Sequence, residues 1–413
     1  MDEKQIIADM HIHSRFSRAC SKDLNIQNLE KYARIKGIDV LGTGDISHEL
    51  WLNELKENLK GGEREKGIFI TKTGFRFVLS GEISLAYTQG RGRRVHLVYL
   101  APDFEVNRQI NDFLDKKGRR DYDGRPIFGF SCIEFAEEMM KISKDIEIIP
   151  AHAWTPWFGI FGSESGFDSL SEAFKDKADF IHAIETGMSS SPDMNWRIKE
   201  LNSKAIVSFS DAHSFWPWRI GREATIFKKK EGVEFSYKEL IRQIRESDFA
   251  ATIETDPAYG KYHYDGHRLC KFSCSPAQSK ELNGICPVCS KPLVIGVENR
   301  VERLAAFPAG FMPRNAKPFY KILPLHELIA LAKASTLASK KTWQIYNQLI
   351  EKFGNEFNIL LRAEKAELMN ALPNDELLTR LIMDNRMGNI NVKPGYDGEY
   401  GIPMLKERQA KLV

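Results

Sequence analysis

A chain of 413 residues is longer than one small domain needs and has room for two or three. With 42% hydrophobic and 28% charged residues it has the profile of a soluble globular protein, and no run approaches the roughly 18 apolar residues of a membrane span. The net charge of +3 is split, with −4 in residues 1–260 and +7 in residues 261–413, as expected of a metal-centred catalytic part followed by an appendage for a polyanion. The opening MDEKQIIADMHIH lacks the basic and apolar regions of a secretory signal, so a cytoplasmic location is expected.

In chain order, β-rich runs alternate with helical ones. The expected strands are 6–11, 39–45, 76–85, 94–102, 146–154, 180–186 and 205–213. Helical patterns lie between several of them, as in LNIQNLEKYARIKG, SCIEFAEEMMKIS and DMNWRIKELN. This alternation predicts an α/β fold with a largely parallel sheet, and seven strands favour closure into a barrel. His11, Asp45, Glu82, His152, Glu185 and Asp211 fall at or just past expected strand ends, while His96 lies within its strand. In parallel α/β folds those ends form the active-site face.

The run Asp9-Met-His11-Ile-His13 puts two imidazoles on one side of an extended chain, with Asp9 on that side as a ligand or an orienting group. Asp211-Ala-His213 repeats the geometry. Asp45, Glu82, His96 and His152 add donors from intervening strands. So many donors exceed one tetrahedral ion, so two or three divalent ions are expected. Mixed imidazole and carboxylate ligands suit Zn, Mn or Fe better than Mg. Such a centre activates water and clamps a phosphoester, with Asp211, His213 and Glu82 as the expected catalytic residues.

From 261 the chain changes character. Cys270-x3-Cys274-x11-Cys286-Pro-Val-Cys289 has the form of a four-thiolate zinc ribbon, structural because tetrahedral closure leaves no open position. His182, His263, His267 and His326 are expected to be structural hydrogen-bonders. Beyond about 318 the pattern becomes helical, ending in the Gly/Pro-rich NINVKPGYDGEYGIPML. The expected parts are 1–260 catalytic, 261–311 zinc-binding and 312–413 mainly helical and DNA-binding.

Several residues suit a nucleic acid. Arg93 and Arg94 precede the His96 strand and could hold phosphates. The loop after His152 carries Trp154, Trp157 and Phe158, which could stack on a base, particularly an extruded one. Arg300, in GVENRVER, is a candidate backbone contact.

The metal motifs resemble the PHP (polymerase and histidinol phosphatase) family, whose fold is a distorted seven-stranded β/α barrel with up to three metal ions. The resemblance covers roughly residues 5–255. Where many members read Thr-Asp-His, this chain reads Thr43-Gly44-Asp45, so the resemblance gives Asp45 the histidine's place. The acidic residue usual after the H-x-H serine is missing from Ser14-Arg-Phe-Ser17, which bears on a third metal. The order of barrel, ribbon, GVENRVERLA and PGYDGEYG, with HSRFSRACSK, GTGDISH, GRRVH, DGRPIFG, ETGMSSSPDMNWR and SFSDAHS, resembles the endonuclease Q family over nearly the whole chain. That resemblance implies a DNA-repair endonuclease that nicks double-stranded DNA 5′ to uracil, hypoxanthine, xanthine or an abasic site. Asn195 and Arg197, in ETGMSSSPDMNWR, then become candidate substrate contacts. A monomer is expected, and a sliding clamp is a conceivable partner, although no clamp-binding motif stands out. The competing reading is a small-molecule phosphatase of the PHP family, which leaves the ribbon and C-terminal region unexplained.

Overall fold

The computed structural model describes residues 4–61 and 67–405. The strands that organise it are β1 (Lys4–Asp9), β2 (Val40–Gly42), β3 (Arg76–Gln89), β4 (Arg91–Ala101), β5 (Glu147–Pro150), β6 (Ala183–Glu185), β7 (Ala205–Val207), β8 (Ala224–Lys229), β9 (Ala251–Glu254) and β10 (Phe319–Lys321). β1, β2 and β3 are parallel neighbours. β4 returns antiparallel along β3, and β5 is antiparallel to β4, so β5 again runs with β1. β6 and β7 pair with each other in parallel. The ring closes through loop contacts. Ala153 N donates to Glu185 O at 3.0 Å, and His13 N donates to Ala212 O at 2.9 Å. β8 and β9 extend the sheet antiparallel from β1, and β10 adds to β9 in parallel.

Period-2 alternation sorts the side chains. Ala8, Val40, Val78, Val98, Ile149, Ala183 and Val207, one from each of the first seven strands, pack in one cluster. Their neighbours Ile7, Leu41, Phe77, Leu97 and Tyr99 belong to a second cluster beneath the helices. Burying each such side chain contributes about 1.5–3 kcal/mol relative to exposure. Glu82 and His96 have the parity of Val78 and Val98, so alternation turns both inward. Because β4 runs backwards, its early residues reach the mouth where the parallel strands end. That is why His96 sits in the middle of its strand rather than at its C-terminal end.

The strands stop sooner than expected at their C-terminal ends, leaving His11, Asp45, His152 and Asp211 in the loops beyond. Asp45, His152 and Asp211 take positive φ (49°, 30° and 47°), a costly left-handed backbone that aspartate and histidine tolerate better than most residues. Gly44 lies so close to Ile12 that a Cβ would come within 2.3 Å of its carbonyl oxygen. β3 and β4 form a tight hairpin turning at Gly90, with Arg93 and Arg94 in β4. DMNWRIKELN forms only two short turns, Pro192–Asn195 and Lys199–Ser203.

Helices Leu325–Lys333, Lys340–Phe353 and Glu376–Arg386 fill the C-terminal region. They dock on the barrel around the buried Lys36, whose Nζ donates to Glu356 at 2.6 Å and to Pro217 O at 2.8 Å. Trp343 packs against Trp216 and Trp218. Among the described residues, no helix is long and apolar enough to cross a membrane.

Candidate metal centre and its surroundings

Two donor groups meet at the barrel mouth. His11, His13, Glu82 and Asp211 bring ligand atoms within 4.8 Å of one another, and so do Glu82, His96 and His152. Glu82 belongs to both. Its Oε2 lies 3.4 Å from His11 Nε2 and 3.2 Å from His13 Nε2. Its Oε1 lies 2.9 Å from His96 Nδ1 and 3.3 Å from His152 Nε2. Asp211 Oδ1 is 3.1 Å from His13 Nε2 and 3.5 Å from His11 Nε2.

The imidazoles are preset by what holds their other nitrogen. His11 Nδ1 is 2.9 Å from Glu185, and His13 Nδ1 is 2.9 Å from Asp45. An ionised carboxylate only accepts, so Nδ1 carries the proton and each Nε2 presents a lone pair to the centre. His11 Nε2 and Glu82 Oε1 are buried without a hydrogen-bond partner. Buried polar atoms are rarely left so, and these fit divalent ions that use imidazole and carboxylate donors.

Charge is concentrated here. Burial opposes ionisation of Glu82, but His96, Arg125 and His11 hold its carboxyl well below the usual range. Burial likewise opposes ionisation of Asp211, and His213, His11 and His13 overcome it. Arg125 was not foreseen as a site residue. Its Nη1 stands 3.2 Å from Glu82 Oε2, and it comes from DGRPIFG, a motif whose arginine was the available signal. Gly124 must be glycine, because a Cβ there would lie 2.2 Å from Asp45 Oδ2.

Several expected ligands stand behind the centre rather than in it. Asp45 is spent on His13, on Ser14 N and Oγ (both 2.6 Å) and on Ser17 Oγ (2.9 Å), so it orients a ligand instead of replacing a histidine. Asp9 accepts from Ser210 N at 3.0 Å and Gly221 N at 2.9 Å, bracing the Asp211 loop, and burial pushes its carboxyl up to about 6. His213 is outside both groups. Its Nδ1 lies 3.1 Å from the Asp211 carbonyl, leaving Nε2 free, and burial lowers its pKa. Glu185, a strand-end residue not counted among the ligands, both orients His11 and accepts from His152 N at 2.7 Å.

Most of the expected substrate contacts have partners within the fold. Arg93 is buried, paired with Glu172 at 2.6 Å and stacked 4.0 Å from the Phe167 ring centroid. Trp154 is fully buried and donates to Asn195 Oδ1 at 2.7 Å, while Asn195 Nδ2 donates to Ser190 and Ser191. Arg197 forms a bidentate pair with Glu302, both bonds 2.9 Å. Arg300 donates to Phe161 O (2.9 Å), Phe167 O (3.0 Å) and Asp168 (2.6 Å), clamping the aromatic loop. Arg94, Trp157 and Phe158 keep open surface. Phe158 lies 4.4 Å from the His96 ring, and Trp157 meets Tyr262 edge-on at 5.6 Å. Tyr262 lines a cavity of about 190 Å3 beside Asp211, walled also by Thr155, Met188, Arg222, His263 and Tyr400.

In the cysteine module, Cys270, Cys286, Cys289 and His267 bring their ligand atoms within 4.8 Å. His267 Nδ1 is 3.1 Å from Cys270 Sγ and 3.3 Å from Cys289 Sγ. Cys274 stands outside that group, buried in the short hairpin Asp265–His267/Phe272–Cys274, so the expected set gains a histidine in place of one thiolate.

A family model described as the MJ0043 C-terminal domain matches residues 324–389. The uncharacterized protein MJ0043 of Methanocaldococcus jannaschii is 32% identical over 265 residues, 63% of this chain and 32% of that protein. The chain thus spans about a third of that relative's length. YqxK of Bacillus subtilis is 26% identical over 96% of this chain and 99% of its own. The crystal structure of PfuEndoQ, a lesion-specific endonuclease from Pyrococcus furiosus, superposes with a TM-score of 0.86 at 28% identity, over 99% of this chain and 97% of that one. Endonuclease Q bound to a 27-mer duplex with an abasic lesion at its active site superposes equally well, at 28% identity over 98% of each chain. Barrel, cysteine module and helical region together make this chain a structural relative of endonuclease Q from end to end.

Proposed function

We propose that this protein is a metal-dependent DNA-repair endonuclease that hydrolyses the phosphodiester 5′ to a deaminated base (uracil, hypoxanthine or xanthine) or an abasic site in duplex DNA. The observation that carries the reading is Glu82, one buried carboxylate shared by two donor groups, at the mouth of a fold matched to a lesion-bound endonuclease over 98% of the chain.

His11, His13, Glu82 and Asp211 would hold one divalent ion, and Glu82, His96 and His152 a second. Bound there, Zn, Mn, Mg or Fe would supply hydroxide near neutral pH and neutralise the scissile phosphate. The protein's own residues prepare that chemistry. Glu185 and Asp45 fix the two imidazoles so that no reorientation is needed. Arg125, beside Glu82, offers a cation to the phosphate. His213, neutral and with Nε2 free, can take or return a proton at the reacting oxygens. The cavity beside Asp211 is roomy enough for the lesion side of an extruded nucleotide, with Tyr262 and Tyr400 to stack on it. The thiolates of the cysteine module would take a structural zinc.

The test is a 5′-labelled duplex with one deoxyuridine, deoxyinosine or abasic site, incubated with Mn, Mg or Zn. A single nick 5′ to the lesion is expected. Turnover of small phosphomonoesters without any nicking would favour the phosphatase reading instead.

A further inference from the structure

The segment PGYDGEYG brings Tyr400 to the rim of the cavity beside Asp211. Backbone bonds pin it there. Gly395 N donates to Ala258 O at 2.8 Å, and Gly401 N donates to Tyr259 O at 3.0 Å. Gly401 packs so closely that a Cβ would come within 2.1 Å of the Ala258 carbonyl oxygen. The backbone that carries Tyr400 is therefore fixed, while its ring stays 42% exposed.

Cations gather on this ring. Lys261 Nζ lies 4.7 Å from its centroid, and the Arg219 guanidinium carbon 5.8 Å. Arg222 and Lys261 line the same cavity as Tyr400 and Asp211. The Arg222 guanidinium is held by bonds of 3.1 and 2.9 Å from Nε and Nη2 to Ser210 O, one residue before Asp211. Partial burial opposes ionisation of the Tyr400 hydroxyl, but Arg222, Lys261 and Arg219 outweigh it and lower its pKa. Among the described residues, none of the three cations ion-pairs with a carboxylate. The acids around them have other partners or face solvent. Glu327 accepts from the Tyr259 hydroxyl at 2.8 Å, Glu223 from Met188 N at 2.8 Å and Asp397 from Arg268 N at 2.6 Å, while Glu399 is exposed. Cations gathered without a neutralising carboxylate repel one another and favour an anion among them.

We infer that Arg219, Arg222 and Lys261 form a second phosphate-binding site around Tyr400, which holds the phosphodiester 3′ to the lesion nucleotide. The inference rests on the reading of the protein as an endonuclease that cuts 5′ to a lesion. On that reading the metal donors take the scissile phosphate, and the cavity beside Asp211 takes the extruded nucleotide. The next anion along the strand is that nucleotide's 3′ phosphate, and the cations at the cavity's rim are the groups that suit it. An abasic nucleotide has no base to stack. A grip on the backbone at both of its phosphates gives the cavity a hold that does not depend on which lesion is present.

The experiment measures binding of the full chain, by fluorescence anisotropy, to duplexes with a stable abasic-site analogue in which one phosphate is replaced by a neutral methylphosphonate. For the unmodified protein, the neutral linkage 3′ to the lesion should weaken binding roughly tenfold and lower the slope of log K against log salt by about 1. The same linkage several nucleotides away should have little effect. Lys261→Ala/Arg219→Ala should show the same loss on the all-phosphate duplex and no further loss on the 3′-methylphosphonate duplex, because both changes remove one contact. Additive losses, or equal weakening wherever the neutral linkage is placed, would overturn the inference while leaving the endonuclease reading intact. Binding of inorganic phosphate that the double variant abolishes, with duplex affinity unchanged, would also overturn it and make a free phosphate the occupant. The methylphosphonate series needs only the unmodified chain, so it decides the matter even where the variant fails to fold. Failure of the unmodified protein to bind or nick any lesion duplex would instead strike the functional reading itself.

Discussion

Two rings of polar residues surround the barrel mouth, and they differ in what is left over. In the inner ring, His11 Nε2 and Glu82 Oε1 have no hydrogen-bond partner despite complete burial. In the outer ring, Asp45, Glu185, Asn195, Arg197 and Arg300 are bonded at nearly every polar atom. Both rings contain buried carboxylates, Glu82 in the inner and Asp45 and Glu185 in the outer. Spare valence marks the inner ring as a site for something to bind, and saturation marks the outer ring as scaffolding. Arg93, Arg197, Arg300 and Trp154, which look like DNA contacts in the sequence, are engaged within the fold, and a carboxylate that looks like a ligand holds a histidine.

That contrast can be broken by mutation. Asp211→Asn should lower nicking by about a thousandfold or more in single-turnover assays while binding of the lesion duplex persists. Asp45→Asn should leave the ligand atoms in place but loosen His13, raising the metal concentration needed for half-maximal activity about 10–100-fold, with activity recovered at saturating metal. If Asp45→Asn instead abolished activity at every metal concentration, Asp45 would belong to the inner ring. Arg300→Ala should cost about 2–3 kcal/mol of stability in denaturant titrations, since two buried carbonyls lose their donor, with little change in intrinsic DNA affinity. Arg94→Ala should do the reverse on a small scale, weakening binding about threefold with no change in melting temperature.

A further prediction concerns the C-terminal dock. His326 is fully buried between Trp218, Trp343 and Tyr346, with both ring nitrogens unpartnered. Burial, helped by Lys36, lowers its pKa from 6.5 to about 3. The unfolded chain therefore binds a proton between those values that the folded chain refuses. Stability due to His326 is fully present above pH 6.5 and is lost as pH falls toward 3. His326→Phe should flatten the acid limb of a plot of melting temperature against pH, and an unchanged limb would mean that the ring finds a partner in solution.

The inner ring was legible because alternation and strand ends are properties of the backbone. Period 2 put His11 beside His13 and turned Glu82 and His96 inward, whatever the tertiary detail. The saturation of Asp45 was not legible, because it depends on Ser14 and Ser17 folding back across the strand end. The burial of Arg93 was not legible, because its partners Gly166 and Glu172 lie more than seventy positions away. His267 lies beside three of the cysteines in the folded chain, a proximity that cysteine spacing alone does not fix. Long-range partners such as Arg300 with Phe161 and Lys36 with Glu356 connect residues more than a hundred positions apart and leave no local signal.

The central claim is that the inner ring is a metal centre acting on DNA beside a lesion. Its most direct test combines metal stoichiometry with cleavage: the metal-stripped protein is titrated with Mn while nicking of a single-abasic-site duplex is followed. Activity should rise with metal bound at the barrel, yield one nick 5′ to the lesion, and vanish in Asp211→Asn. A metal-saturated, folded protein that leaves the lesion duplex intact would contradict the account.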